Sequence, residues 1–131
     1  MSLDSDTTQP QRRILIADDE LNNRELLYRM LRSYGEISEA ATGRQALDMI
    51  ENEHFDLILL DVLMPALTGL EVLKIIRAMP LTANLPVIMI SEFTRDEEIV
   101  RGLEIDDADY LLKPIDLDEM LARVETHLGM R

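Results

Sequence analysis

Apolar residues along this chain fall into two alternating patterns. Five short runs have the length and composition of strands: RILIA (13–17), EISEA (36–40), DLILL (56–60), PVIMI (86–90) and DYLLK (109–113). Between them apolar residues recur at helical spacing. Leu27, Met30, Leu31 and Tyr34 stand at i, i+3, i+4, i+7, and so do Val72, Ile75, Ile76 and Met79. Leu117, Met120, Leu121, Val124 and Leu128 mark a third stripe, and residues 43–53 and 95–104 read as two shorter helices. Gly35, Gly43 and Pro86 sit where the pattern changes, and Gly129 follows the last stripe as a C-cap should. The order βαβαβαβαβα predicts an α/β fold, a doubly wound parallel sheet with right-handed crossovers. RILIA, DLILL and PVIMI are apolar on both faces, which suits central strands, whereas EISEA alternates, which suits an edge.

Composition narrows the class. At 131 residues with 47% apolar content, one domain with a real core is expected, filled by Leu, Ile and Met because aromatics are only 4%. Residues 1–11 are polar and read as a flexible tail, leaving 12–129 as the domain. The absence of Cys removes disulfides and thiolate metal sites, and two separated histidines, His54 and His127, are too few for a His-rich one. No apolar run is long enough to cross a membrane, and the N-terminus has no apolar core of a signal peptide, so a soluble, cytoplasmic chain is expected. With 13 basic and 26 acidic residues the net charge is −13, which argues against direct nucleic-acid binding and against an anionic membrane surface.

The polar residues that interrupt the strands are the candidate chemistry. In DLILLDVLMP a carboxylate, Asp61, ends an apolar run, although burying an unpaired carboxylate is costly. Ligands of an open α/β sheet bind beyond the carboxyl ends of its strands. The first strand exits into Asp18-Asp19-Glu20, the third into Asp61, the fourth into Ser91 and the fifth into Lys113-Pro114. Asp61 is therefore expected as the exposed floor of a cleft. Taken singly, each acid reads as a turn residue or helix N-cap, Ser91 as a cap, Lys113 as a solvated charge, Tyr110 as a core aromatic and Gly69 as a turn glycine. Together they converge on one edge. Three clustered carboxylates repel, so at least one pKa should rise, and a divalent cation relieves the repulsion. An all-oxygen donor set suits Mg²⁺ or Mn²⁺. A metal, a lysine and an exposed Asp nucleophile form a phosphoryl-transfer arrangement.

The motifs ILIADDE, LILLDVLMPALTGLE, VIMIS and DYLLKP together resemble the receiver domain of two-component response regulators, over roughly residues 12–128. The resemblance implies a flavodoxin-like (βα)5 three-layer sandwich with strand order 2-1-3-4-5 and a cis Lys113–Pro114 bond. It implies Asp61 as phosphoacceptor, and Mg²⁺ held by Asp18, Asp19, Asp61 and the backbone carbonyl of Leu63. It further implies Lys113 on the phosphoryl group, and Ser91 with Tyr110 as a hydroxyl–aromatic switch pair. Two departures stand out. Glu92 follows Ser91 where the family usually has a small residue, and Asp106-Asp107-Ala108-Asp109-Tyr110 lacks the usual glycine before the fifth strand.

The expected function follows from that resemblance. A histidine kinase or phosphotransfer protein donates a phosphoryl group to Asp61 in a Mg²⁺-dependent reaction. The face built from the 95–104 helix, the fifth strand and the last helix then switches. The chain is no enzyme beyond its own phosphorylation and dephosphorylation. Arg101, Asp109, Glu119 and Arg123 match positions that pair across a two-fold dimer in the DNA-binding branch of the family, or else are ordinary surface ion pairs. A flavodoxin is disfavoured because Asp-Asp-Glu would repel a phosphate in the first loop. A haloacid-dehalogenase-type phosphatase is disfavoured because Leu63 stands where its second acid belongs. A receiver-like scaffold that works without phosphorylation is the remaining alternative.

Overall fold

The computed structural model describes residues 12–92 and 108–129; the predicted tail, the predicted 95–104 helix and Arg101 lie outside them. Nine elements follow one another: β1 (Arg13–Ala17), α1 (Leu21–Leu31), β2 (Glu36–Ala40), α2 (Gly43–Asn52), β3 (Leu57–Asp61), α3 (Gly69–Ala78), β4 (Val87–Ser91), β5 (Asp109–Leu112) and α4 (Leu117–His127). The five strands form one parallel sheet in the order β2-β1-β3-β4-β5, the doubly wound order that the resemblance implies. Among the described residues no helix is long and apolar enough to cross a membrane.

Strand alternation divides the core into two layers. Leu15, Ile58, Leu60 and Met89 face Ala46, Leu47, Ile50, Val72, Leu73 and Ile76 of α2 and α3. Ile14, Ile16, Leu57, Leu59, Ile88 and Ile90 face Leu27, Leu31, Met120 and Val124 of α1 and α4. Every residue of β3 and β4 is buried, because helices cover both faces, whereas β2 is partly exposed at its edge. The helix stripes differ from expectation in register. In α3 the buried stripe is Gly69, Val72, Leu73 and Ile76, while Ile75 is exposed. Leu117 is also exposed, because the face of α4 turned to the core runs through Met120 and Val124, which are buried, with Leu121 packed at its margin. Tyr34 lies beyond the end of α1, and its hydroxyl donates to Glu125 Oε2 of α4 at 2.7 Å.

Two strands run one residue further than their apolar stretches. Asp61 still pairs with Ile90, and Ser91 with Leu112. Strand ends are set by the ladder between neighbours, which side-chain polarity does not report. Capping starts the helices beside them. Thr68 and Glu71 form a reciprocal capping box at α3, Thr42 accepts from the Gln45 N–H at α2, and Asp116 accepts from the Glu119 N–H at α4. The bond between Lys113 and Pro114 is cis.

Gly69 is more than a turn residue. It is the first residue of α3, its N–H bonds the Val62 carbonyl at 2.8 Å, and a Cβ there would stand 2.0 Å from the Asp61 carbonyl oxygen. Helix α3 thus starts against the backbone of β3, where no side chain fits. Gly69→Ala should cost about 2–4 kcal/mol of stability. Urea unfolding should show this as a lower midpoint with unchanged slope; a midpoint equal to wild type would refute the close packing.

Candidate functional site

Adjacent central strands place the acids together. Ala17 pairs with Leu60, so the residues that follow them, Asp18 just past the end of β1 and Asp61 at the last position of β3, stand side by side. Carboxylate oxygens of Asp18, Asp19 and Asp61 all lie within 4.8 Å of one another. Lys113, just after β5, places Nζ 3.7 Å from Asp61 Oδ1 and 4.0 Å from Asp18 Oδ2. Its backbone N–H donates to the Ser91 carbonyl at 2.9 Å, which ties the lysine to the end of β4. A cleft of about 190 Å³ opens over this group, lined by Asp19, Glu20, Asp61, Val62, Leu63, Ser91, Glu92 and Lys113.

Burial corrects the expectation for Asp61. It is 6% exposed and Asp18 is 1% exposed, so neither lies open on a cleft floor; Asp19 is the exposed acid of the three. The reason is that Asp61 is still a ladder residue of a fully covered strand, and only its carboxylate edge reaches the cleft. Burial, then the neighbouring Asp18 charge, pushes the Asp61 carboxyl up to about 6, against the opposing pull of Lys113 and the Leu63 N–H. Burial also raises Asp18, even though its Oδ1 accepts the Glu20 N–H at 2.9 Å.

The residues fit a hard divalent cation. Asp18 Oδ2 is buried and has no hydrogen-bond partner, and the nearby donors are all carboxylate oxygens. An oxygen in that state carries an uncompensated desolvation cost that a bound cation removes. Leu63, half exposed, lines the same cleft. Its loop turns tightly at Ala66, where φ is 69° and the Leu67 N–H reaches the Pro65 carbonyl at 2.7 Å.

Other expected site residues sit around this centre. Ser91 is 3% exposed at the end of β4 and lines the cleft. Tyr110 does not line it: half-buried on β5, it pairs with Met89 and packs on the α2–α3 side of the core. Glu92 is exposed and does line the cleft. Arg24 escaped notice in the sequence. Its Nη1 donates to the Asp18 carbonyl at 2.8 Å and its Nε bonds Glu39 at 3.2 Å, so it braces the first acidic loop from α1. A basic residue one turn into the helix after Glu20 was the available signal.

Asp109, Glu119 and Arg123 pair within the chain. Arg123 bonds both Asp109 and Glu119, and His127 Nε2 lies 3.0 Å from Asp109 Oδ2. Burial pushes the Asp109 carboxyl up, but the bonds to His127, Arg123 and the Tyr110 N–H outweigh it and hold it below the usual range. This cluster fastens α4 to β5.

Comparison with known proteins agrees with this geometry. The sequence model of the response regulator receiver domain matches residues 14–125. The transcriptional regulatory protein ZraR of Escherichia coli K12 is 36% identical over 117 residues, covering 88% of this chain and 26% of its own length. The DNA-binding response regulator MtrA of Mycolicibacterium paratuberculosis is 34% identical over 119 residues, covering 90% of this chain and 52% of its own. The chain thus spans from about a quarter to about half of these relatives. A crystal structure described as a response regulator of Chloroflexus aurantiacus superposes with a TM-score of 0.83 at 34% identity, covering 92% of this chain and 99% of that one.

The buried acids predict a pH dependence. The folded-state pKa of Asp61, about 6, lies above the ordinary 3.8. Its contribution is therefore fully present below the ordinary value and is lost as pH rises through the folded one. In a chelator, Asp61→Asn should be more stable than wild type at pH 7.5, by about 1–3 kcal/mol, and the gap should shrink toward pH 4.5. Urea denaturation at both pH values measures it, and an equal gap at the two would contradict the electrostatic origin.

Proposed function

Since the chain belongs to the response regulator receiver domain family, we propose that Asp61 accepts a phosphoryl group from the phosphohistidine of a histidine kinase or phosphotransfer protein. The observation that carries this reading is the buried Asp61 carboxylate, 3.7 Å from Lys113 Nζ and grouped with Asp18 and Asp19. An Asp61 oxygen attacks phosphorus in line, the P–N bond to the donor imidazole breaks, and the imidazole leaves with the electron pair. Asp18, Asp19, Asp61 and the Leu63 carbonyl would hold Mg²⁺. When bound, the ion supplies charge neutralisation to the acids and to the phosphoryl oxygens. Lys113 contributes a point charge 3.7 Å from Asp61 Oδ1. Its stem is anchored by its own N–H on Ser91, so the ammonium is positioned before the donor arrives.

The product carries close to two added negative charges. The Ser91 hydroxyl turns to the new oxygens, and Tyr110 fills the space released toward the core. Through β5 and α4 this biases a two-state equilibrium of the signalling face. Phosphorylation in turn favours a homodimer through that face, for which Asp109, Glu119 and Arg123 would exchange in-chain partners for those of a second copy. Water later hydrolyses the acyl phosphate, so the chemistry is confined to the chain's own modification, within a cytoplasmic signalling route.

Acetyl phosphate with Mg²⁺ should add one phosphoryl group by intact mass, and Asp61→Asn should abolish it. A labelled Asp61→Asn protein would assign the chemistry elsewhere. Mg²⁺ should shift the amide resonances of residues 18–20 and 61–63 in wild type and much less in Asp19→Asn; equal responses would remove Asp19 from the ion site.

Glu92 adds an exposed negative charge at the cleft mouth. Glu92→Ala should accelerate phosphorylation by acetyl phosphate roughly 3- to 10-fold at low salt, with the gain shrinking as salt screens it. Glu92→Gln keeps the bulk and removes the charge, so it separates the two causes. Wild-type rates in both variants would show that Glu92 does not gate donor access.

A further inference from the structure

At the opposite end of the sheet, below the N-terminal ends of β3 and β4, the chain forms a second and larger depression of about 570 Å³. It lies between residues 50–56, which lead into β3, and residues 80–86, which lead into β4. That volume falls in the range of ligand-binding clefts. Its apolar walls are Ile50, Phe55, Pro80, Leu81, Leu85 and Pro86.

Leu81 is the unusual member. It is 99% exposed, and it sits on a turn that is firmly held. The buried Thr82 hydroxyl donates to the Ile76 carbonyl at 2.6 Å, and the Thr82 N–H bonds the Met79 carbonyl at 3.1 Å. Arg77 Nη1 donates to the Leu85 carbonyl at 2.7 Å and to the Thr82 carbonyl at 3.3 Å. A leucine in water on a flexible loop means little. On a turn pinned by a buried hydroxyl and a bridging guanidinium it presents apolar surface already ordered, so a partner meets little entropic cost.

The rim has a definite sign. Glu51 and Glu53 are exposed and Asp56 is half-buried beside them. Arg13 stands beside this rim, where it pairs with Glu53 and Glu36 and lies 5.1 Å from the Phe55 ring centre, and the Arg77 guanidinium is taken up by the carbonyls of the turn. His54 Nε2 lies 3.2 Å from Asp56 Oδ1. Three carboxylates, Glu51, Glu53 and Asp56, thus line the groove, and no lysine or arginine is among the residues that line it. A second copy seated on it rim to rim would set Glu51, Glu53 and Asp56 against their own counterparts, and an anionic surface would be repelled. Charge complementarity selects a cationic occupant, and Leu81 with its apolar neighbours selects one with an apolar side chain.

We propose that this groove docks a basic, leucine- or phenylalanine-bearing segment of a partner protein, with Leu81, Leu85 and Pro86 as the apolar contact and Glu51 and Glu53 meeting its basic side chains. The surface lies at the far end of the sheet from the acidic cleft, so a partner seated there leaves the cleft open to a phosphoryl donor. The site does not depend on Asp61 or on phosphorylation.

The test uses a fluorescein-labelled amphipathic Lys/Leu peptide, with Lys/Ser and Glu/Leu peptides as controls, read by anisotropy and by amide chemical shifts. The Lys/Leu peptide should shift residues 51–56 and 80–86 while leaving residues 18–20 and 61–63 in place. Leu81→Ser should weaken it about tenfold, as loss of one apolar anchor does. Glu51→Lys should weaken it and flatten its salt dependence. Both side chains are exposed, so both variants should keep the wild-type circular dichroism and melting temperature. Three results would overturn the proposal: shifts centred on the acidic cleft or spread over the whole surface, Lys/Ser binding as tight as Lys/Leu, or wild-type affinity in Leu81→Ser. Self-association in sedimentation, with shifts at 51–56 and 80–86 and no peptide present, would replace it with a dimer contact.

Discussion

Two carboxylates are buried side by side at the carboxyl ends of two neighbouring inner strands, with one ammonium group within 4 Å of both. In a medium of intermediate dielectric such charges interact by several kcal/mol, far more than at the surface. Much of the surrounding architecture serves to hold that arrangement. β1 and β3 must be neighbours in the sheet, or Asp18 and Asp61 would not emerge together. β5 must lie next to β4, or the Lys113 N–H would not reach the Ser91 carbonyl and its ammonium would not face the acids. The unsatisfied Asp18 oxygen and the raised Asp61 carboxyl show that one lysine does not balance the group. The site carries an electrostatic deficit that a cation, or protonation, removes.

The support around the site is uneven. On the α2–α3 side, α3 starts in van der Waals contact with the β3 backbone through Gly69, and its capping box holds the first turn. That side has little room for adjustment without disturbing Asp61. On the other side, β5 is an edge strand, half-buried, fastened to α4 by Asp109 with Arg123 and His127. Polar bonds at an edge can exchange partners at lower cost than packed methyl groups can be separated. The geometry therefore matches the proposed division of labour, with chemistry on the rigid centre and a signal carried by the edge.

Most of the fold was legible in the sequence because strand and helix periodicities are local. The five apolar runs became five strands, EISEA took the sheet edge, and Gly129 adopts φ 71° after the last helix. The helix stripes were read less well. The buried face of α3 runs through Gly69 and Leu73, and no periodicity marks a glycine as a packing residue. Strand ends at Asp61 and Ser91 were missed by one residue, since a ladder hydrogen bond is indifferent to whether its side chain is polar.

Residue types at the strand exits determined the candidate site by themselves: Asp18, Asp19, Asp61, Ser91 and Lys113 could be named from chemistry and position in the chain. Tertiary structure alone decided their state. Burial of Asp61 depends on helices covering both faces of β3, and the pairing of Lys113 with Asp61 depends on strands far apart in sequence. The same holds for Arg24 on the Asp18 carbonyl, and for Arg123 and His127 on Asp109. Sequence records which groups are available. Dielectric, distance and partner choice arise only when the sheet brings them together, because Coulomb and hydrogen-bond energies depend on separation in space rather than along the chain.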